Sequence, residues 1–180
     1  MNIIAVKCLT EITPQLGYDY LLNFGFTTLV ENRTYADGST KSDIGQPLAL
    51  GGLTDGVKNI ELTAAYATIA NGGVYEKPVF YTKIVDHDGN VLMDNTKTKT
   101  HTVLKESTAF LLTSAMQDVV KNGTGKIVNF DTMSIAGKTG TTSQTYDVWF
   151  AGFTPYYTCS VWGGYDVNTS MYDASYHKGL

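Results

Sequence analysis

Long apolar runs are missing from this sequence. Nowhere do about eighteen apolar residues follow one another, so no stretch has the length and composition of a membrane-spanning helix. Basic clusters are missing too. Thirteen Lys and Arg stand against seventeen Asp and Glu, for a net charge of −4, which argues against a nucleic-acid partner. Cysteine is scarce. Cys8 and Cys159 lie far apart and make no disulfide framework; they read as two buried thiols acting as small hydrophobes, with a single disulfide left open. The three histidines, His87, His101 and His177, fall in polar or terminal stretches without ligand spacing, so neither a metal site nor a cofactor is expected. Internal repeats, low-complexity segments and linkers are absent as well. With 180 residues, 43% of them hydrophobic, the chain reads as one domain with a core of its own.

The patterns that are present place helices first. Residues 2–12 carry Ile4, Ala5, Cys8, Leu9 and Ile12 at helical spacing. Thr13-Pro14 reads as the cap and first residue of a second helix with Leu16, Tyr20, Leu21 and Phe24 inward and Gly25 as its stop. Residues 30–46 read as loop, and the Gly-rich segment 48–56 as a close-packed connection. A third helix is expected over 59–71, with Asn59 as cap, Ile60, Ala64, Ala65 and Ile69 buried, and Gly72-Gly73 as terminator. Residues 79–85 and 90–94 flank Asp86-His-Asp-Gly89 as a hairpin ribbon on the solvent side; 95–102 reads as a Thr/Lys-rich loop. The clearest helix spans 106–121, with Ala109, Leu112, Ala115, Met116 and Val119 on one face. Helices and strands segregate along the chain, which indicates an α+β domain with an antiparallel sheet flanked by helices.

The chemistry concentrates in Ser134-Ile-Ala-Gly-Lys138-Thr-Gly-Thr-Thr142. Three adjacent antiparallel strands are expected from it onward, at 138–142, 147–153 and 158–164. Lys138, between two glycines, would hold a cation on an open strand edge, a place for an anion. A phosphate-binding loop is the rival reading. It requires a glycine where Thr132 stands and a helix after the Lys-Thr, whereas the following residues are β-branched, aromatic and Gly-punctuated. The bland alternative for Lys138 is a lysine paired with a carboxylate. For Trp149, Phe150, Phe153 and Trp162, core packing suffices.

The string Gly-Lys-Thr-Gly-Thr-Thr, followed by Asp147-Val-Trp149-Phe-Ala-Gly152-Phe-Thr-Pro155 and Ser160-Val-Trp162-Gly-Gly164-Tyr-Asp166, closely resembles the transpeptidase domain of class A (bifunctional) penicillin-binding proteins. So do Ala49-Leu-Gly-Gly52, Glu61-Leu-Thr-Ala-Ala-Tyr66, Ala70-Asn-Gly-Gly73 and Gly123-Thr-Gly125. The resemblance implies a β-lactamase/transpeptidase-like fold, of which residues 1–180 would be the C-terminal part. It also implies a parent that cross-links peptidoglycan stem peptides through an acyl-serine intermediate and is acylated by β-lactam antibiotics. That parent would sit on the extracytoplasmic face of the bacterial cell membrane, anchored by an N-terminal helix outside this chain.

By the same resemblance, Lys138 assists proton transfer and attracts the substrate carboxylate, Thr139 and Thr141 bind that carboxylate, and Gly140 lets the substrate backbone approach. Asn2 matches the asparagine of the family's Ser-x-Asn motif, because Ile-Ala-Val-Lys7 follows it. The serine of that motif and the nucleophile of Ser-x-x-Lys would then precede Met1. Ser175-Tyr-His-Lys178 matches Ser-x-x-Lys in spelling alone, since it follows Lys-Thr-Gly and lacks an apolar helix around it. Two further readings are a non-catalytic peptide or cell-wall binding module on the same fold and a serine β-lactamase. A domain lacking its N-terminal part is also expected to leave a sheet edge and an apolar face open, inviting homo-association.

Overall fold

The computed structural model describes residues 2–130, 132–167 and 169–172. The chain forms two compact units, 1–64 with 77–99 and 65–76 with 100–180. No helix among the described residues is long and apolar enough to cross a membrane.

The first unit opens with α1 (Asn2–Ile12) and α2 (Pro14–Asn23). Thr13 caps α2, its Oγ1 accepting from Leu16 N at 3.4 Å. The other end is a Schellman closure: Gly25, at φ 87°, donates to Leu22 O, and Phe26 N donates to Leu21 O. The expected apolar faces are only partly used. On α1 only Leu9 is buried, and on α2 Tyr18 takes the place assigned to Leu16 and Tyr20, which are exposed. The reason is steric. Leu9 reaches over Gly17, where a Cβ would lie 2.6 Å from its Cδ1, and that contact fixes which faces of the two helices meet. Ile4, Ile12 and Cys8 are left outside. Cys159, in the second unit, is exposed as well, so neither thiol is the small core hydrophobe expected.

Residues 30–46 are more ordered than a loop. They contain the two-residue hairpin β1 (Arg33–Thr34) and β2 (Thr40–Lys41) and lead into a 3-10 turn at Gln46–Leu50 that packs on α1. Asp43, almost fully buried, pins this segment by accepting from Val30 N, Thr54 N and Thr54 Oγ1 at 2.7–2.8 Å. The ribbon is β4 (Lys83–Val85) with β5 (Val91–Asp94), shorter than 79–85 and 90–94 but antiparallel as expected, with Gly89 at φ 85° in its turn.

Helix α3 (Asn59–Ala70) starts one residue before Asn59 can cap it, because Leu62 N donates to Lys58 O, which makes Lys58 the cap position. Ile60 is exposed. Its place in the stripe goes to Glu61, 8% exposed, whose carboxylate accepts from Thr27 Oγ1 at 2.5 Å and Thr27 N at 3.1 Å and pairs with Lys58 Nζ at 3.1 Å. Burial raises the Glu61 carboxyl pKa, but the Thr27 and Lys58 donors outweigh it and hold the group below the ordinary range.

In the second unit, Gly72 and Gly73 end α3 at positive φ. β3 (Val74–Glu76) then pairs antiparallel with β6 (Thr100–Thr102), so part of the segment expected to be loop is a strand, with Tyr75 and His101 rings 5.1 Å apart. α4 (Glu106–Asn122) packs on β7 (Ala136–Thr141), the first strand of the sheet β7-β8-β9 completed by β8 (Asp147–Phe153) and β9 (Thr158–Gly164). Both pairings are antiparallel, as expected, and β7 begins two residues earlier than the 138–142 reading. The buried stripe of α4 is Ala109, Met116 and Val120; Leu112 and Ala115 are exposed. This stripe fits the 3.6-residue period as well as the expected one. Thr113 and Gln117 share its side, lining a cavity of about 210 Å³ with Ala70, Ser134, Ala136 and Phe153.

Candidate functional site: an open lysine strand

β7 owes its position to small residues. Ala136 and Gly137 are buried, opposite Phe153 and Gly152 of β8. The Phe150 ring lies across Gly137 and Gly152, whose added Cβ atoms would come within 2.6 Å and 3.0 Å of ring carbons. Past this slot the strand emerges into solvent. Lys138 is exposed, Thr139 and Gly140 half-buried, Thr141 exposed. Gly140 faces Trp149, where a Cβ would stand 3.2 Å from the Trp149 Cβ.

Strand alternation puts Lys138 on one face of the sheet and Thr139 and Thr141 on the other. Their polar groups can therefore meet one ligand only along the free edge. That edge is open, since among the described residues β7 pairs with β8 alone. Lys138 Nζ donates to Thr139 O at 2.8 Å, and among the described residues no carboxylate pairs with it. Thr139 Oγ1 stands 2.7 Å from Thr124 Oγ1. The phosphate-loop rival also fails: a single 3-10 turn at Ser143–Thr145 follows β7, and then β8 begins. In this turn Gln144 and Thr145 have φ 61° and 55°, an unfavourable region for a β-branched residue. Ser170 Oγ donates to Gln144 O and Met171 N to Thr145 O, which hold the turn in place.

The aromatic residues divide. Phe153 is core and Trp149 and Phe150 are half-buried, but Trp162 is 38% exposed, its Nε1 donating to Asp147 Oδ1 at 2.9 Å and its ring 6.3 Å from Trp149. It sits on β9, the opposite edge of the sheet, which explains why core packing does not cover it. Asn2 is the first residue of α1, in the other unit, and is exposed. Ser175 and Lys178 lie outside the described residues. In the sequence, Gly123-Thr-Gly125 stands out as part of the resemblance and as the approach to the Lys138 strand, not as a site of its own. The Thr124–Thr139 contact gives the tripeptide a place in the site, and its flanking glycines were the available signal.

The same fold occurs in solved structures. The crystal structure of penicillin-binding protein 1A from Haemophilus influenzae superposes with a TM-score of 0.72 at 22% identity, over 93% of this chain and 29% of that one. The PonA1 protein from Mycobacterium tuberculosis in complex with penicillin V does so with a TM-score of 0.63 at 28% identity, over 80% and 38%. The architecture is thus that of a penicillin-binding-protein transpeptidase domain.

Sequence comparison leads to the same family. The model of the penicillin binding protein transpeptidase domain matches residues 1–177. Penicillin-binding protein 1A of Clostridium botulinum (strain Hall) is 37% identical over 177 residues, covering 98% of this chain and 20% of that protein. The chain belongs to the penicillin-binding protein transpeptidase family, and it spans about a fifth of the length of such relatives.

Proposed function

We propose that this chain supplies the substrate-carboxylate side of a serine D,D-transpeptidase centre. In this reading the longer protein joins peptidoglycan stem peptides and is acylated by β-lactams on the outer face of the cytoplasmic membrane. The observation that carries it is the exposed Lys138, paired with no carboxylate among the described residues, on one strand with Thr139 and Thr141 at an edge that is open among those residues. Acyl transfer needs a positive potential and donors where negative charge sits and develops. Lys138 supplies the potential and assists proton transfer, the two threonines bind the carboxylate, and the Thr141 N–H serves as an oxyanion donor. Gly140 keeps the edge bare for a peptide backbone. Asn2, the first residue of α1, matches the asparagine of the family's second motif.

The test is Lys138→Ala in the full-length protein, with the acylation rate read by a fluorescent penicillin. Loss of about two orders of magnitude is expected, as for other removed transition-state donors, with an unaltered melting temperature because the side chain is exposed. An unchanged rate in the folded variant would overturn the assignment.

A further inference from the structure

We propose that Thr124 is a positioning residue of the same site, aiming the Thr139 hydroxyl at the substrate carboxylate; this rests on the reading of β7 as the substrate strand. The Thr124 and Thr139 hydroxyl oxygens are 2.7 Å apart, between groups fifteen residues apart in sequence. A hydroxyl has one proton to donate and two lone pairs to accept with. When Thr139 gives its proton to a carboxylate, the short contact is kept only if Thr124 donates to Thr139 Oγ1. That bond orients the Thr139 rotor and polarises its O–H toward the anion.

The backbone around Thr124 is built to hold this position. Gly123 N and Gly125 N both donate to the Val119 carbonyl of α4, at 3.0 and 3.1 Å, so Thr124 is the apex of a loop clamped at both feet to one oxygen. The clamp needs glycine at its first foot: a Cβ at Gly123 would stand 2.9 Å from Val119 O. It rests on a rigid base, because the adjacent Val120 is 1% exposed and α4 packs on β7. The helix thus carries the loop to the strand at a fixed height. Thr124 itself is exposed, so its hydroxyl has no packing task that would account for the arrangement.

Thr124→Val keeps the shape and removes the donor; Thr124→Ser keeps the donor. In the full-length protein, Thr124→Val is expected to lower the second-order acylation constant for fluorescent penicillin about fivefold, the usual weight of one hydrogen bond between neutral groups. Thr124→Ser is expected to restore it. Thr139→Val should lower the constant as well, and the double Val variant should be no slower than Thr139→Val alone, because Thr124 acts only through Thr139. That coupling is a ratio of rates and survives any stability loss the single variants share. Lys138→Ala, run in parallel, separates the two readings. If it is impaired while Thr124→Val acylates normally, or if Thr124→Ser is as slow as Thr124→Val, the positioning role is wrong and the substrate strand stands. If Lys138→Ala acylates normally, both readings fall.

Discussion

The buried carboxylates among the described residues, Asp43 and Glu61, each hold backbone N–H groups, and Glu61 shows how. Its donors, the Thr27 hydroxyl and N–H and the Lys58 ammonium, favour the charged form more strongly than burial opposes it. A carboxyl whose folded pKa is depressed contributes stability above its unfolded pKa, about 4.3, and loses that contribution as pH falls through the folded value. Glu61→Gln should therefore lower the melting temperature at neutral pH and narrow the gap to wild type as the solution is acidified below about pH 4. Melting curves at several pH values decide it; a constant gap down to pH 2 would mean that the ionised form does not matter. Glu61 was legible in the sequence as part of a family-like string but not as an anchor, because its partner Thr27 lies thirty-four residues away and no local pattern marks the pair. Lys138 stood out for the opposite reason: the residues of its string, Gly137 and Thr139 to Thr141, lie with it on one strand.

Existence and type of element could be read wherever the period was long. α1, α2, α4 and the three-stranded sheet fall almost where their patterns put them. The faces could not be read as well, since they depend on what each element meets. In α4 the expected and observed stripes both satisfy helical spacing, and the choice is made by β7, which offers buried Ala136 rather than a large side chain. β1, β2, β3 and β6, of two or three residues each, were invisible because a run so short has no period; β4 is equally short but was marked by the turn signal Asp86-His-Asp-Gly89 that follows it. The observed register of α4 gives a sharp expectation. Met116→Ala, at 7% exposure, should cost about 3 kcal/mol, and Leu112→Ala, at 39%, less than about 1. Denaturant titration of the two variants decides it: the stripe read from the pattern alone holds both residues, so a Leu112→Ala cost as large as that of Met116→Ala would count against the observed register.

The chain carries its apolar exposure in adjacent groups. Phe110 and Leu111 stand out from α4, Val161 and Trp162 from the edge strand β9, and Phe80, Leu92 and Met93 from around the ribbon. Exposed apolar surface beside an unpaired strand favours contact between copies. Static light scattering of this chain should show apparent mass rising with concentration; a constant monomer mass over a hundredfold range would count against it. The pairing of β3 with β6 has a different kind of consequence. These strands bring the two ends of the excursion Lys77–Lys99 together, with Lys77 N donating to Lys99 O at 3.2 Å, so the ribbon β4–β5 leaves and returns at one point. In polymer terms the excursion is a loop already closed, and closure entropy grows only with the logarithm of length. Doubling it would cost about 0.6 kcal/mol, so insertion and loss of sequence in this detour weigh little on the strands that hold it shut.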